Sequence, residues 1–136
     1  YGREVLLHGV NMVYKVPPYI PSSEYDPERS VTDQEIQDLK SWGVNFVRLG
    51  VLWEAAETAP NEWDDFYLDS LFGLSVKLGQ AGIYTLIDGH QDAFSTQFCG
   101  EGFPTFYSEQ LEHTCPFNTT FSEQLNTAFG GCTPMS

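Results

Sequence analysis

Three apolar segments, residues 5–13 (VLLHGVNMV), 44–53 (VNFVRLGVLW) and 83–88 (IYTLID), alternate with two segments of helical periodicity. Each helical segment runs through a glycine straight into the next apolar segment, which leaves no room for a hairpin turn. The capping box Thr32/Glu35 starts the first helix, because hydroxyl and carboxylate each satisfy an otherwise orphan backbone N–H. Ile36, Leu39 and Trp42 then recur at helical spacing and Gly43 stands where a left-handed terminating residue is wanted, so a helix is predicted over 33–42. A second, over 65–81, presents Leu68, Leu71, Phe72, Leu74 and Leu78 and closes at Gly82. Strand, helix, strand, helix, strand joined in this way predicts parallel βαβ units with buried strands. Pro17, Pro18, Pro21 and Pro27 keep the stretch after the first strand out of helix and central strand. Residues 54–65 read as a loop. From Ala93 onward no period persists, and only short helices over 106–112 and 121–129 are expected in a loop-rich segment, 93–136.

Two architectures use such units, the open doubly wound sheet and the closed (β/α)8 TIM barrel. The nucleotide-binding form of the first needs a Gly-rich turn after the first strand, and NMVYKVPPYIP has neither GxGxxG nor GxxxxGK[ST]. That counts against a nucleotide site, while the alternating pattern itself is common to both α/β architectures. The net charge of -13, with six scattered basic side chains, argues against nucleic acid and against an anionic membrane surface. No apolar run approaches the roughly 20 residues that span a bilayer.

In a barrel the chemistry sits at the C-terminal ends of the strands, which here means residues 11–15, 48–53 and 88–92. His90, Gln91 and Asp92 put imidazole, amide and carboxylate at one strand end, a set suited to sugar hydroxyls or to orienting a catalytic carboxylate. The alternative is a histidine that satisfies loop backbone. A metal site is disfavoured because no third ligand stands at a recognisable spacing, and no cofactor is expected. Arg48, inside an apolar strand, needs a carboxylate partner: a catalytic one at the barrel mouth, or a structural one such as Asp88. Lys15 either reaches substrate hydroxyls or is a solvated loop lysine. Trp53 either stacks on a sugar or covers the barrel core. Glycoside hydrolysis needs paired carboxyls, but Glu54, Glu57, Asp64, Asp65, Asp88, Asp92 and Glu101 form no pairing that singles one out.

Together, GREVLLHGVNMVYKVPPY, WGVNFVRLGVLWEAAETAP, GIYTLIDGHQDAFS and GEGFP resemble the opening third of endoglycoceramidases and related glycosylceramidases of glycoside hydrolase family 5, over residues 2–104. The resemblance implies a (β/α)8 TIM barrel, of which residues 1–136 hold the N-terminal part of one catalytic domain, about three strands and two helices. A whole barrel takes roughly 250 residues, so a longer protein is expected. The same resemblance implies retaining cleavage of the β-glycosidic bond between oligosaccharide and ceramide, in glycosphingolipid catabolism. It also implies that Lys15, His90 and Asp92 contact the sugar next to the scissile bond and that Arg48 is the arginine near the nucleophile. The family's general acid belongs to an Asn-Glu pair after the fourth strand and its nucleophile is a Glu after the seventh. Asn61-Glu62 follows the second strand, so no carboxylate of this chain is assigned either role, and the segment alone is expected to be inactive. Relatives acting on glucosylceramide or steryl β-glucosides, and a truncated glycolipid-binding protein without catalysis, are the alternatives. The expected partner is a glycosphingolipid or other β-glucoside, with transient contact to a lipid surface.

Cys99, Cys115 and Cys132 are odd in number, so in a secreted protein one must pair elsewhere or stay free. Asn118 heads an N-glycosylation sequon, NTT. With the resemblance, these features lead to the expectation of a secreted or lysosomal or vesicular protein.

Overall fold

The computed structural model describes residues 2, 4–98 and 100–114. In chain order the elements are β1 (Gly9–Met12), α1 (Asp33–Ser41), β2 (Phe46–Leu52), α2 (Trp53–Ala56), β3 (Glu57–Ala59), β4 (Glu62–Trp63), α3 (Asp65–Gln80), β5 (Tyr84–His90), a 3-10 turn (Thr96–Phe98) and α4 (Thr105–Thr114). They fall into two compact units, one of residues 1–51 and 65–88, the other of 52–64 and the described residues from 89 on.

The first unit holds the βαβαβ pattern, a sheet in the order β1-β2-β5. β1 runs parallel to β2 with Gly9 opposite Phe46, Asn11 opposite Arg48 and Met12 opposite Leu49. Thr32 Oγ1 accepts the Glu35 N–H at 3.3 Å and Glu35 Oε2 accepts the Thr32 N–H at 2.7 Å, the capping box expected of α1. Both long helices end before a left-handed glycine, Gly43 at φ 80° and Gly82 at φ 83°. Val47 and Leu49 of β2 are fully buried, and Met12, Ile36, Leu71, Leu74, Leu78 and Ile83 are buried core residues of the same unit. Gly50 is required in β2, because a Cβ there would stand 2.8 Å from the Val13 methyls.

Asn45, just before β2, joins all three strand segments. Its N–H donates to the His8 carbonyl at 2.9 Å and its Oδ1 accepts the His8 N–H at 2.8 Å. Its Nδ2 donates to the Leu6 carbonyl at 2.8 Å, while its own carbonyl accepts the Tyr84 N–H at 2.9 Å.

Three expectations need correction. The first strand is shorter than 5–13, since Val5, Leu6 and Leu7 are exposed and only residues 9–12 enter the ladder. The core stripe of α3 is Tyr67, Leu71, Leu74 and Leu78, spaced i, i+4, i+7, i+11, whereas Leu68 and Phe72 lie on its exposed flank. β5 extends past Asp88 to His90, and instead of being buried it exposes Tyr84, Leu86 and Ile87. It is the last strand of its sheet among the described residues, so nothing on its outer side removes these side chains from water.

In the second unit residues 54–65 are more than a loop. α2 leads into an antiparallel hairpin, with Glu57 opposite Trp63 and Ala59 opposite Glu62, turned at Asn61 in the left-handed region (φ 64°). Its strands are too short to show alternation. α4 covers the helix expected over 106–112. The helix expected over 121–129, together with Cys99, Cys115, Cys132 and Asn118, lies outside the described residues.

Candidate active site

Arg48 sits in β2, a strand otherwise made of apolar residues and glycine, where an unpaired cation would be costly. Its Nη2 meets Asp88 Oδ2 of β5 at 2.7 Å, with the two side chains 38% and 19% exposed. Of the two partners considered for Arg48, the structure brings up the neighbouring-strand carboxylate. Lys15 follows β1 and is exposed.

The second unit gathers His90, Asp92 and Glu101. His90 ends β5 and is buried. Its Nε2 lies 3.3 Å from Asp92 Oδ2 and 3.8 Å from Glu101 Oε1, and the Asp92 and Glu101 side chains are 55% and 12% exposed. Asp92 and Glu101 are brought side by side by their backbones, which exchange N–H to carbonyl bonds of 3.1 and 2.9 Å across the intervening loop. The Gly100 N–H donates to the Ser95 carbonyl and the Phe103 N–H to the Phe94 carbonyl, so the loop is cross-tied throughout. Ala93 (φ 49°) and Phe94 (φ 82°) adopt left-handed backbone without being glycine, a strained arrangement that this bonding holds in place.

Glu101 is, in the sequence, only one of seven carboxyls without a pairing that singles it out. It stands nine positions from Asp92, without a motif spacing, and only the return of the loop makes them neighbours. The available signal was its setting in Gly100-Glu101-Gly102. A Cβ at Gly100 would overlap the Asp92 carbonyl and one at Gly102 the His90 carbonyl, so the glycines permit the close return. The ligand atoms of His90, Asp92 and Glu101 lie within 4.8 Å of one another, the one group among the described residues with the donors for a metal ion. The missing third ligand of the sequence reading is thus present in space. An imidazole between carboxylates serves sugar hydroxyls equally well, offering donors and acceptors on one surface.

Glu54 and Glu57 have opposite environments. The Glu54 carboxylate accepts the Gly102 N–H at 2.5 Å. Burial pushes its pKa up, Glu101 adds to that, and the Gly102 N–H opposes it. Glu57 is buried, and accepts from the Asn61 N–H at 2.7 Å, from the Tyr107 hydroxyl at 2.8 Å and from Trp53 Nε1 at 2.5 Å. These donors, the Asn61 N–H first, hold its carboxyl below the ordinary glutamate value, and the same bond raises Tyr107. Trp53 is thereby pinned against Phe103 (5.0 Å, edge to face), which stacks on Phe94 at 4.3 Å. Tyr107 lies against the indole as well (5.4 Å, tilted), while 41% of the residue stays exposed.

Because the Glu57 and Glu35 carboxyls are lowered on folding, their stabilisation is complete above the ordinary value of 4.5 and is lost as pH falls through the folded values. Glu54, raised on folding, contributes in the opposite sense, and its share fades as pH rises through its folded value. Urea midpoints measured from pH 7 down to 3 are expected to fall below pH 4.5, and Glu57→Gln is expected to flatten that decline. A decline equally steep in the variant would show that Glu57 does not drive it.

Residues 1–133 match the family model described as cellulase, glycosyl hydrolase family 5. Endoglycoceramidase I of Rhodococcus hoagii is 42% identical over 109 residues, 80% of this chain and 21% of that protein. The solved structure of endo-glycoceramidase II from Rhodococcus sp. in its five-membered iminocyclitol complex superposes with a TM-score of 0.60 at 27% identity, over 77% of this chain and 24% of that one. Sterylglucosidase 1 of Cryptococcus neoformans, with tris, gives 0.64 at 29% identity, over 76% and 17%. The chain spans about a fifth of the length of the curated relatives it first matches. The resemblance read from the motifs and the partial (β/α)8 architecture agree with these matches: the chain belongs to glycosyl hydrolase family 5.

Proposed function

We propose that this chain supplies the first strands and part of the sugar-binding floor of a retaining glycoside hydrolase that cleaves the β-glycosidic bond between oligosaccharide and ceramide. The observation that carries the reading is the buried imidazole of His90 held beside the Asp92 and Glu101 carboxylates at the end of a family 5 strand. That arrangement can grip adjacent hydroxyls of one sugar and so fix the glycosidic bond; in the first unit Arg48 and Asp88 form an ion pair of their own. The general acid and the nucleophile, about 5 to 5.5 Å apart in a retaining enzyme, belong to residues outside this chain. Similarity to the endoglycoceramidases supports ceramide-linked glycan as substrate. Likeness to the sterylglucosidase structure supports a second reading, a steryl or ceramide β-glucoside. Among the described residues no helix is long and apolar enough to cross a membrane; transient contact with a lipid surface is part of the reading. A secreted, lysosomal or vesicular setting goes with the reading.

The complete protein is offered gangliosides, glucosylceramide and steryl glucoside separately, and released glycan is analysed. Intact oligosaccharide from gangliosides, with little glucose from the other two, is the expected result. Glucose from steryl glucoside alone would establish the second reading, and binding without hydrolysis of any of them would leave a glycolipid-binding protein.

A further inference from the structure

Glu54 makes two bonds to a single residue of the His90 loop. Its N–H donates to the Gly102 carbonyl at 3.0 Å, and its carboxylate accepts the Gly102 N–H at 2.5 Å. Gly102 has φ 103°, which side-chain-bearing residues rarely adopt, and its α-carbon faces the His90 carbonyl so closely that a Cβ would overlap it. Glu54 therefore holds the residue that lies directly on the His90 backbone. One position earlier, Glu101 is tied to Asp92 by its backbone and turns a carboxylate toward His90 Nε2. Moving Gly102 would move the support under His90 and the carboxylate beside its ring together.

We propose that Glu54 is a positioning residue for sugar recognition, clamping Gly102 so that His90 and Glu101 are held in the geometry that grips the substrate. The proposal rests on the reading of His90 as a sugar contact. Glu54 itself touches neither substrate nor imidazole in this role. Its partial burial and the nearby Glu101 both raise the carboxyl pKa, so the position carries an electrostatic cost that a residue serving only to fill space would not require.

The test is a double-mutant cycle in the complete protein, with hydrolysis of the substrate identified above as the readout. Glu54→Ala is expected to lower kcat/KM between about 10-fold and 100-fold, as a displacement of about 1 Å at a binding group does. His90→Ala is expected to lose more. The double variant is expected to lose less than the product of the two single losses, because with His90 gone Glu54 has only Glu101 left to position. Glu54→Gln, which keeps an acceptor for the Gly102 N–H, is expected to recover most of the loss. Should Glu54→Ala not fold, the cycle is run with Glu54→Asp, whose carboxylate stops one methylene short of the amide. Losses that multiply in the double variant, or an active Glu54→Ala beside a crippled His90→Ala, overturn the positioning role while leaving the sugar contact intact. A fully active His90→Ala overturns the sugar contact itself and the proposal with it.

Discussion

Replacing Asp92 or His90 with alanine in the complete protein is expected to lower kcat/KM about 10²- to 10³-fold, the cost of losing one preorganised polar partner of a reacting substrate. The two are expected to behave alike because the carboxylate and Nε2 stand 3.3 Å apart and, in the proposed role, would meet the sugar as one surface. Removing Asp92 also leaves a buried imidazole with one fewer partner, so the variant loses alignment as well as a contact. Asp92→Asn, which keeps the shape and one acceptor, is expected to fall between wild type and alanine. Steady-state kinetics on the cleaved glycolipid, with circular dichroism to establish folding, decides the matter. Folded variants with unchanged kinetics would remove both residues from the sugar site.

The largest effect on stability is expected at Leu49. It lies in the middle strand of the sheet with no exposed surface, and its backbone neighbour across the ladder is Met12. Leu49→Ala removes buried methyl groups in a place where strands on both sides prevent collapse, and is expected to cost about 2–5 kcal/mol. Tyr25→Ala, at a residue 77% exposed, is expected to stay within about 0.5 kcal/mol. Urea unfolding of the complete protein compares them. A shift in midpoint at constant slope is the expected form, and equal midpoints for the two variants would show that Leu49 does not anchor the core.

What the residues announced, and what they did not, follows from range along the chain. The capping box at Thr32, the glycines after both helices and the apolar run of β2 act within a few residues of themselves, and each was readable. The extent of β1 is not legible in the same way, because apolarity at Val5, Leu6 and Leu7 does not itself bring burial, which depends on what else is present to cover them. His90 and Asp92 were legible as a pair because two positions on one strand end are close in any fold. Glu101 and Glu54 were not, since their places depend on a loop that returns on itself and on a glycine with a backbone angle no side chain favours. The ion pair of Arg48 lies between these cases: the cost of burying a cation predicts a partner, and the place of β5 beside β2 in the sheet makes it Asp88.

Asn45 has a consequence at the opposite end of the sheet. Side chains alternate faces along a strand, so a slip of one residue between β1 and β2 would turn every side chain of β1 to the wrong side. The hydrogen bonds that Asn45 makes to Leu6 and His8 are satisfied in one alignment only. In that alignment Asn11 stands opposite Arg48, and the chain leaves β1 toward Lys15 on a set course. The position from which Lys15 departs is thus decided partly by an amide at the other end of the strand, which acts on β1 and β2 as an index pin acts on a dial.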